Sequence, residues 1–143
     1  MKHGVLALPL LTLSACGDYP RDTEGTLERV RGGAMRVGLV TGAPEPRAEA
    51  LVRALAERTG SRVQVRKDAA EPLLLDLEHG RLDLVVGRFD AKTPWDARVT
   101  FGEPVAAAGA RDDRREVKAA VMNGEHAWSM EVDRAVAALE GGG

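Results

Sequence analysis

The sequence has very little cysteine and few aromatic residues. Cys16 is its only cysteine, so no disulfide can form within the chain, and an exported domain would depend on its hydrophobic core alone. Acidic and basic side chains nearly balance, with 22 against 20 and a net charge of -2, which is not the basic excess of a nucleic-acid-binding domain. The aromatic residues are too scattered to build stacking platforms for bases: Tyr19, Phe89, Trp95, Phe101 and Trp128. We therefore expect no nucleic-acid partner.

Signatures of catalysis and of metal binding are also missing. Beyond Cys16 the serines are Ser61 and Ser129, and neither lies in the strand-to-helix turn of a nucleophile elbow. The sequence has no glycine-rich phosphate loop and no acidic pair singled out by its spacing. His79 and His126 lie far apart, without a second cysteine or a ligand-spaced acidic pair beside them. We expect neither enzymatic activity, nor a metal site, nor a cofactor.

The first apolar run is too short to remain as a membrane span. It covers residues 4–13 after a short basic start, whereas a spanning helix needs about 20 apolar residues. It ends in Leu13-Ser14-Ala15-Cys16, which resembles a bacterial lipobox. Small residues give the peptidase access to extended backbone, and the cysteine sulfur is the nucleophile that accepts the diacylglycerol. The resemblance implies a signal peptide over residues 1–15 and lipidation of Cys16; the alternative is an ordinary buried cysteine.

The chain beyond Cys16 is long enough for one domain with a hydrophobic core. Residues 16–25 are polar and include Pro20, a composition typical of a flexible tether. Residues 26–140 form the predicted domain. The three glycines 141–143 cannot continue a helix and form the predicted flexible tail.

Within this domain, strand and helix patterns alternate. Strands are predicted over residues 35–40, 62–66 and 82–87, and the second of them, half apolar, is expected near a sheet edge. Helices are predicted between them, over residues 48–59 and 68–79. This order predicts a parallel sheet with right-handed crossovers. Residues 106–115 show no periodicity, and the rest is predicted as a short helix near residues 26–31, extended segments 99–105 and 116–122, and a last helix with Trp128 on its apolar face.

Six short segments then form a recognisable series: GTLERV (residues 25–30), MRVG (35–38), LEHGRLDLVVG (77–87), TPW (93–95), RVTF (98–101) and GEHAW (124–128). In this series the chain resembles the family 3 extracytoplasmic solute-binding proteins, the receptors of ABC importers for polar amino acids and similar solutes. Members of that family have two α/β lobes that close on the solute. The second lobe is inserted into the first, and here that position holds only about ten residues, 106–115.

The resemblance therefore implies a single periplasmic-binding-protein-like lobe of α/β class, with a mostly parallel sheet of about four to five strands flanked by helices. A specific small-molecule site usually buries about 70–90% of its ligand, which one open face cannot do. We expect weak binding unless a second copy or another protein covers that face.

The expected ligand-contacting positions depart from the family pattern. The loop at residues 41–46 has no aromatic residue to pack on a solute, and Asp96 stands three residues after Thr93, where amino-acid-binding members have an arginine. Arg88 or Arg98 could supply that guanidinium to a ligand carboxylate. Since ligands generally bind at the carboxyl edge of a parallel sheet, the ligand-binding candidates are Thr41, Arg88, Thr93 and Arg98.

Each candidate also has a structural alternative. The arginines could be solvated or ion-paired surface groups, and Thr93 could cap a helix that begins at Pro94. Trp95 could simply cover the sheet edge. Asp83, the most family-like charged residue, could bond backbone amides in a turn at the strand entrance.

Three interpretations of function stay open at this point. The first is a lipid-anchored, extracytoplasmic solute-binding-like protein, a substrate-binding component of an ABC importer for a small polar or anionic solute. The second is a protein-interaction module that has lost solute binding and docks a permease or another envelope protein. The third is a degenerate, non-functional lobe. All place the protein in the cell envelope, facing the periplasm if the bacterium has two membranes.

Overall fold

The computed structural model describes residues 20–42, 45–105 and 115–142. The predicted signal peptide, Cys16 and most of the segment without periodicity lie outside these residues. The strands are β1 (Ala34–Val40), β2 (Arg62–Asp68), β3 (Leu84–Asp90), β4 (Val99–Phe101) and β5 (Arg115–Met122). The α-helices are α1 (Thr26–Val30), α2 (Pro46–Thr59), α3 (Ala70–Glu78) and α4 (His126–Gly141), and a 3-10 turn spans Pro94–Ala97.

The five strands form one sheet in the order β2-β1-β3-β5-β4. β1 pairs in parallel with β2 and with β3, whereas β5 runs antiparallel to both of its neighbours, β3 and β4. β4 therefore points the same way as β1, β2 and β3. The predicted fold class, a single α/β lobe with a mostly parallel sheet, is confirmed, and within this sheet the return strand β5 is the exception.

Helices cover the sheet on both faces. Alternation along β3 directs Leu84 and Val86 into the core beneath α2 and α4, and Val85 and Phe89 into the core beneath α3. The apolar stripe of α2 and the Gly60 that ends it follow the periodicity of the sequence. Among the described residues, no helix combines the length and the apolar composition needed to cross a bilayer.

β2 lies at one edge of the sheet, as the sequence predicts. Its side chains are more exposed than the half-apolar pattern implies, and Val63 and Val65 are 37% and 50% exposed. Arg62 and Arg66 share the strand with them, and charged side chains on an edge strand oppose unwanted pairing with another sheet. The strand thus ends the sheet on this side.

The segment before α1 is fixed to the start of α4. Asp22 accepts hydrogen bonds from the backbone N–H groups of Leu27 (2.7 Å) and Trp128 (2.9 Å) through its two carboxylate oxygens. Buried Glu125 accepts in the same way from Glu24 (2.6 Å) and Thr26 (2.9 Å). Two carboxylates thereby satisfy the free N–H groups at the N-terminal ends of two helices.

These contacts change the domain limits expected from the sequence. The predicted tether, residues 16–25, overlaps the folded lobe from Asp22 to Gly25, because the capping carboxylates hold this part of the backbone. At the other end α4 includes Gly141, the first residue of the predicted tail.

Candidate functional site

A cleft of about 620 Å³ opens at the carboxyl ends of β1 and β3. In a sheet whose strands run in parallel, the loops that follow neighbouring strands meet at this edge and leave a crevice between them. Side chains from the strand ends and from the first turn of α2 line it: Leu39, Val40, Thr41, Gly42, Glu45, Ala48, Glu49, Lys67, Val86, Gly87, Arg88 and Arg115.

The floor of the cleft depends on a close approach between β1 and β3. A Cβ atom added to Gly87 would lie 2.5 Å from both Cβ and Cγ2 of Val40. Such a distance is far inside van der Waals contact. Glycine at this position therefore lets the two strand ends close beneath the cleft.

Replacing Gly87 with alanine should reduce the free energy of unfolding by about 1–3 kcal/mol, the usual cost of overpacking a well-packed site. The stem of Val40 cannot rotate away, so backbone must shift. Gly38→Ala is the matched control, since there the nearest atoms, at 3.0 Å, are terminal methyl groups of Leu73 and Leu82. Urea unfolding of both variants tests this. Equal losses would mean that the Gly87–Val40 contact has no special cost.

Thr41 and Arg88 both line the cleft. Thr41 directly follows β1, and its backbone N–H donates to the Asp68 carbonyl oxygen at 2.8 Å, which ties the ends of β1 and β2 together. Arg88 lies on β3, and its Nε donates to Glu45 Oε2 at 2.8 Å. Glu45 precedes α2 and its side chain is only 15% exposed, so this ion pair joins β3 to the entrance of the helix.

Charges of both signs surround the cleft. Lys67, Arg88 and Arg115 provide cationic groups, and Glu45 and Glu49 provide carboxylates. Arg115 also pairs with Asp90 across β3 and β5, with 3.5 Å between Nε and Oδ1. The walls between these groups are apolar. Chemically, such a cleft can bind a small solute through charge-assisted hydrogen bonds while its aliphatic parts contact the floor.

Thr93 and Arg98 lie apart from Thr41 and Arg88. The Thr93 hydroxyl accepts a hydrogen bond from the Trp95 N–H at 3.4 Å, and the Asp96 carboxylate accepts one from the Thr93 N–H at 3.1 Å. Thr93 therefore caps the 3-10 turn, which is the structural role given above as the alternative to ligand binding. Neither Thr93 nor Arg98 is among the residues that line the cleft.

Arg98 lies before β4, at the amino edge of the sheet. Its Nε donates to Glu78 Oε1 at 2.9 Å, its Nη2 contacts Glu78 Oε2, and its guanidinium stacks 4.4 Å from the centre of the Trp95 ring. The hydrogen bonds from Arg98 hold the pKa of Glu78 below its ordinary value, despite partial burial. Arg98 is therefore committed to an ion pair here.

Asp83 is the centre of a buried ionic cluster at the same edge. Its side chain is fully buried and accepts from Arg29 Nη1 (2.8 Å), from Arg36 Nη2 (2.6 Å) and Nε (3.1 Å), and from the Arg36 backbone N–H (2.8 Å). Burial alone would raise the pKa of Asp83, but the hydrogen bonds from Arg36 and Arg29 outweigh it, and the pKa is lowered. Asp83 therefore has the structural role given above as its alternative, since its carboxylate accepts a hydrogen bond from a backbone N–H. That N–H belongs to Arg36 in β1 and not to a turn.

A second cavity, of about 700 Å³, lies over this cluster. Arg29, Arg36 and Glu78 are part of its wall, and each of them already holds an ionic partner. Arg88 and Arg115 in the cleft hold ionic partners as well, so ion pairing does not separate the two cavities; the cleft differs in lying at the carboxyl ends of parallel strands, where ligands generally bind. The cleft at the carboxyl edge is the better candidate site.

Several residues of the cleft were missed by the reasoning from sequence. Lys67 could have been found, since it lies at the end of β2 and the rule that selects carboxyl ends of parallel strands applies to it as well. Glu45 belongs to the loop at residues 41–46, which the sequence already marks as ligand-contacting, although the residue itself was not selected. Glu49 and Arg115 had no such signal, because their place in the cleft depends on how α2 and β5 meet the sheet. In the part of the chain that the structure describes, no three metal-ligating side chains are grouped to hold an ion.

No protein-family model matches this chain, and no curated protein matches its sequence. Solved structures do match. A mutant of domain 1 from TmArgBP, the ArgBP of T. maritima, in its arginine-bound form superposes with a TM-score of 0.70 and 16% identity, over 80% of this chain and 98% of that one. An ancestral cationic amino acid solute-binding protein gives a TM-score of 0.67 with 12% identity, over 82% of this chain and 95% of the other.

A third match is the L-cystine solute receptor of Neisseria gonorrhoeae in its unliganded open conformation. It has a TM-score of 0.63 and 15% identity, over 82% of this chain and 92% of the receptor chain. The three matches share with this chain the fold of one solute-binding lobe, and all three are binding proteins. At such low identity the likeness establishes the fold, and the chemistry of the site has to be argued from the residues present.

Proposed function

We propose that this protein is a lipid-anchored, extracytoplasmic solute-binding-like protein that takes up a small polar or anionic solute in the cleft at the carboxyl edge of its sheet. The observation on which this depends is that Thr41 and Arg88 line the same cleft, beside Glu45 and Lys67. Cys16 supplies the lipid anchor, and an ABC permease is the proposed recipient of the solute.

Support for binding by a single lobe comes from one of the structural matches. Domain 1 of TmArgBP holds arginine as a separate domain, so this fold can retain a ligand without its second lobe. In the same way, the single lobe of this chain can hold a solute if the residues of its cleft make enough contacts with it. The open side then lowers the affinity without abolishing binding, in line with the weak binding expected from the sequence.

Within the cleft, Arg88 is the proposed anchor for the anionic group of the solute. Its guanidinium has five N–H donors in a planar fork, and a ligand carboxylate would share or replace the carboxylate of Glu45 there. Thr41 offers a hydroxyl group at the neighbouring strand end. Thr93 and Arg98, the other two candidates, are not part of this proposal, since neither of them lines the cleft.

The test is a thermal-shift screen with amino acids, organic anions and oligopeptides. A solute at about 100 times its dissociation constant should stabilise the native state by about 2.7 kcal/mol. Arg88→Ala should weaken binding of that solute by about 10- to 100-fold, since hydrogen bonds to charged groups contribute about 1.5–3 kcal/mol. Calorimetric titration measures the change.

Arg98→Ala is the matched control. It removes the same side chain from a site outside the cleft, and the two arginines are almost equally exposed, at 42% and 45%. We expect its affinity for the solute to equal that of the parent. The proposal is wrong if no solute raises the melting temperature of the parent protein, or if the two variants lose affinity equally.

A protein-interaction module is the second candidate, and the shortness of the segment 106–115 favours it. That segment stands where two-lobe members of the resembled family have their second lobe, so the cleft face of the described lobe could dock another envelope protein. A degenerate lobe is the third candidate. The interaction module would be supported if the parent protein binds no solute but binds an envelope partner, and if Arg88→Ala weakens binding of that partner. Degeneracy would be supported if the parent protein binds neither a solute nor an envelope partner.

A further inference from the structure

The chain enters the lobe at the edge of the sheet opposite the cleft. Thr23 and Asp22 contact Gly124 and the start of α4, just after β5 ends, and Glu24 lines the cavity at the amino edge together with Ala34. β5 runs against the other strands, so its end lies where β1 and β3 begin. The entry point and the cleft are therefore at opposite ends of the parallel strands.

The distance from Cys16 to this entry point is short. Asp22 lies six residues after Cys16. An extended chain spans at most about 3.3–3.6 Å per residue, so Asp22 lies no more than about 22 Å from the lipidated residue. Asp22 is itself fixed to two helices by the hydrogen bonds described above.

The lobe is about as tall as this tether is long. β1 has seven residues, which at about 3.3 Å each place the cleft about 20 Å beyond the amino edge. Residues 41–42 and the first turn of α2 project farther still. Turning the cleft toward the bilayer would require the full length of the tether and additional clearance for these loops.

From this geometry we infer that the lipid anchor holds the amino edge of the lobe against the bilayer surface, with the cleft facing away from the membrane in which Cys16 is embedded. The inference rests on the proposed lipidation of Cys16. Exposed Arg21, Arg31 and Arg62 lie at or near this edge and make no ion pair within the described part of the chain, so they can contact anionic headgroups.

The orientation restricts the partners of the cleft. A solute enters from the side away from the bilayer, and any protein that covers the cleft must approach from that side. The ABC permease proposed above as the recipient of the solute must therefore contact the cleft from that side, either from an opposite membrane or by projecting above the bilayer that holds the anchor. The anchored lobe thus presents its cleft to molecules outside the membrane.

Single-cysteine labelling of the mature lipoprotein tests this orientation. Acylation consumes the thiol of Cys16, so an introduced cysteine is the one free thiol. Glu24→Cys places a fluorophore at the amino edge without removing any of the three arginines, and Glu49→Cys places one at the cleft rim. In phosphatidylcholine–phosphatidylglycerol vesicles with an acceptor dye at the surface, energy transfer should place the first label about 20 Å nearer the bilayer than the second.

A longer tether is the matched control. Inserting about 15 glycine and serine residues after Gly17 adds about 20 Å of root-mean-square reach and should remove most of the difference between the labels. Equal distances for the two labels with the natural tether, or a cleft label nearer the bilayer, would overturn the orientation. Mass spectrometry of the protein distinguishes a wrong orientation from a wrong anchor. If Cys16 carries no diacylglycerol, the proposed lipid anchor itself is wrong.

Discussion

Replacing Trp128 with alanine is expected to lower the free energy of unfolding by about 3–5 kcal/mol, the range for removing a large buried side chain from a core. Trp128 is fully buried between α4 and the sheet. Its indole Nε1–H donates to the Asp83 carbonyl oxygen at 2.7 Å, so the substitution also leaves a buried acceptor without its partner. A loss of this size is a large part of the total stability of a small domain.

Urea unfolding followed by circular dichroism measures the effect, and the second tryptophan provides the control. Trp95 is half-buried at the other core, so Trp95→Ala should cost less than half as much. Trp128→Phe keeps most of the volume and should lose only about 1–3 kcal/mol, the cost of the unpaired carbonyl. If Trp128→Ala and Trp95→Ala prove equal, Trp128 is not the centre of the larger core.

Much of the sheet could be predicted from the sequence because the apolar patterns are local. Val37 and Leu84 belong to short, apolar runs, and α2 shows its buried stripe and its terminal glycine directly. The order of strands and helices then implies a parallel arrangement. What the pattern does not contain is the direction of β5, because Val117 and Val121 would be buried equally well in a parallel or an antiparallel strand.

The long-range hydrogen bonds and ion pairs of the carboxylates were hard to predict for a related reason. Asp22 and Trp128 are 106 residues apart, and Arg29 and Asp83 are 54 apart. No local spacing marks such partners. From the sequence alone, Asp22 therefore belongs to a polar tether, and only the folded structure shows that it contacts the start of α4.

Two of the four ligand-binding candidates selected from the sequence line the cleft. The rule that ligands bind at the carboxyl ends of parallel strands selects Thr41 and Arg88, which do line one cleft. It also selected Arg98, although the chain returns along the 3-10 turn before this residue and places it at the amino edge beside Glu78. Strand order alone therefore predicts which residues reach the carboxyl edge only where the path of the following loop is also known.

Asp83→Asn is expected to lower the free energy of unfolding by about 3 kcal/mol near pH 7. Removing one member of a buried ion pair generally costs about 3–5 kcal/mol, because the remaining charge is left buried. Here the side chains of Arg29 and Arg36 are 43% and 33% exposed and can regain water, which favours the lower end of that range. An asparagine amide also turns donors toward both guanidinium groups.

The pH dependence of the same variant distinguishes a charge effect from lost packing. Because the folded-state pKa of Asp83 is lowered, its carboxylate stabilises the native state fully above the unfolded-state pKa, about 3.9, and this stabilisation is lost as the pH falls through the lower folded-state value. The stability difference between the parent and Asp83→Asn should therefore stay constant from pH 7 to about pH 5 and shrink below about pH 4. Asp90→Asn is the control: Asp90 is 60% exposed in a 3.5 Å ion pair, and such pairs contribute about 0–1 kcal/mol. A difference for Asp83→Asn that persists undiminished in acid would show that shape, and not the buried charge, makes this aspartate necessary.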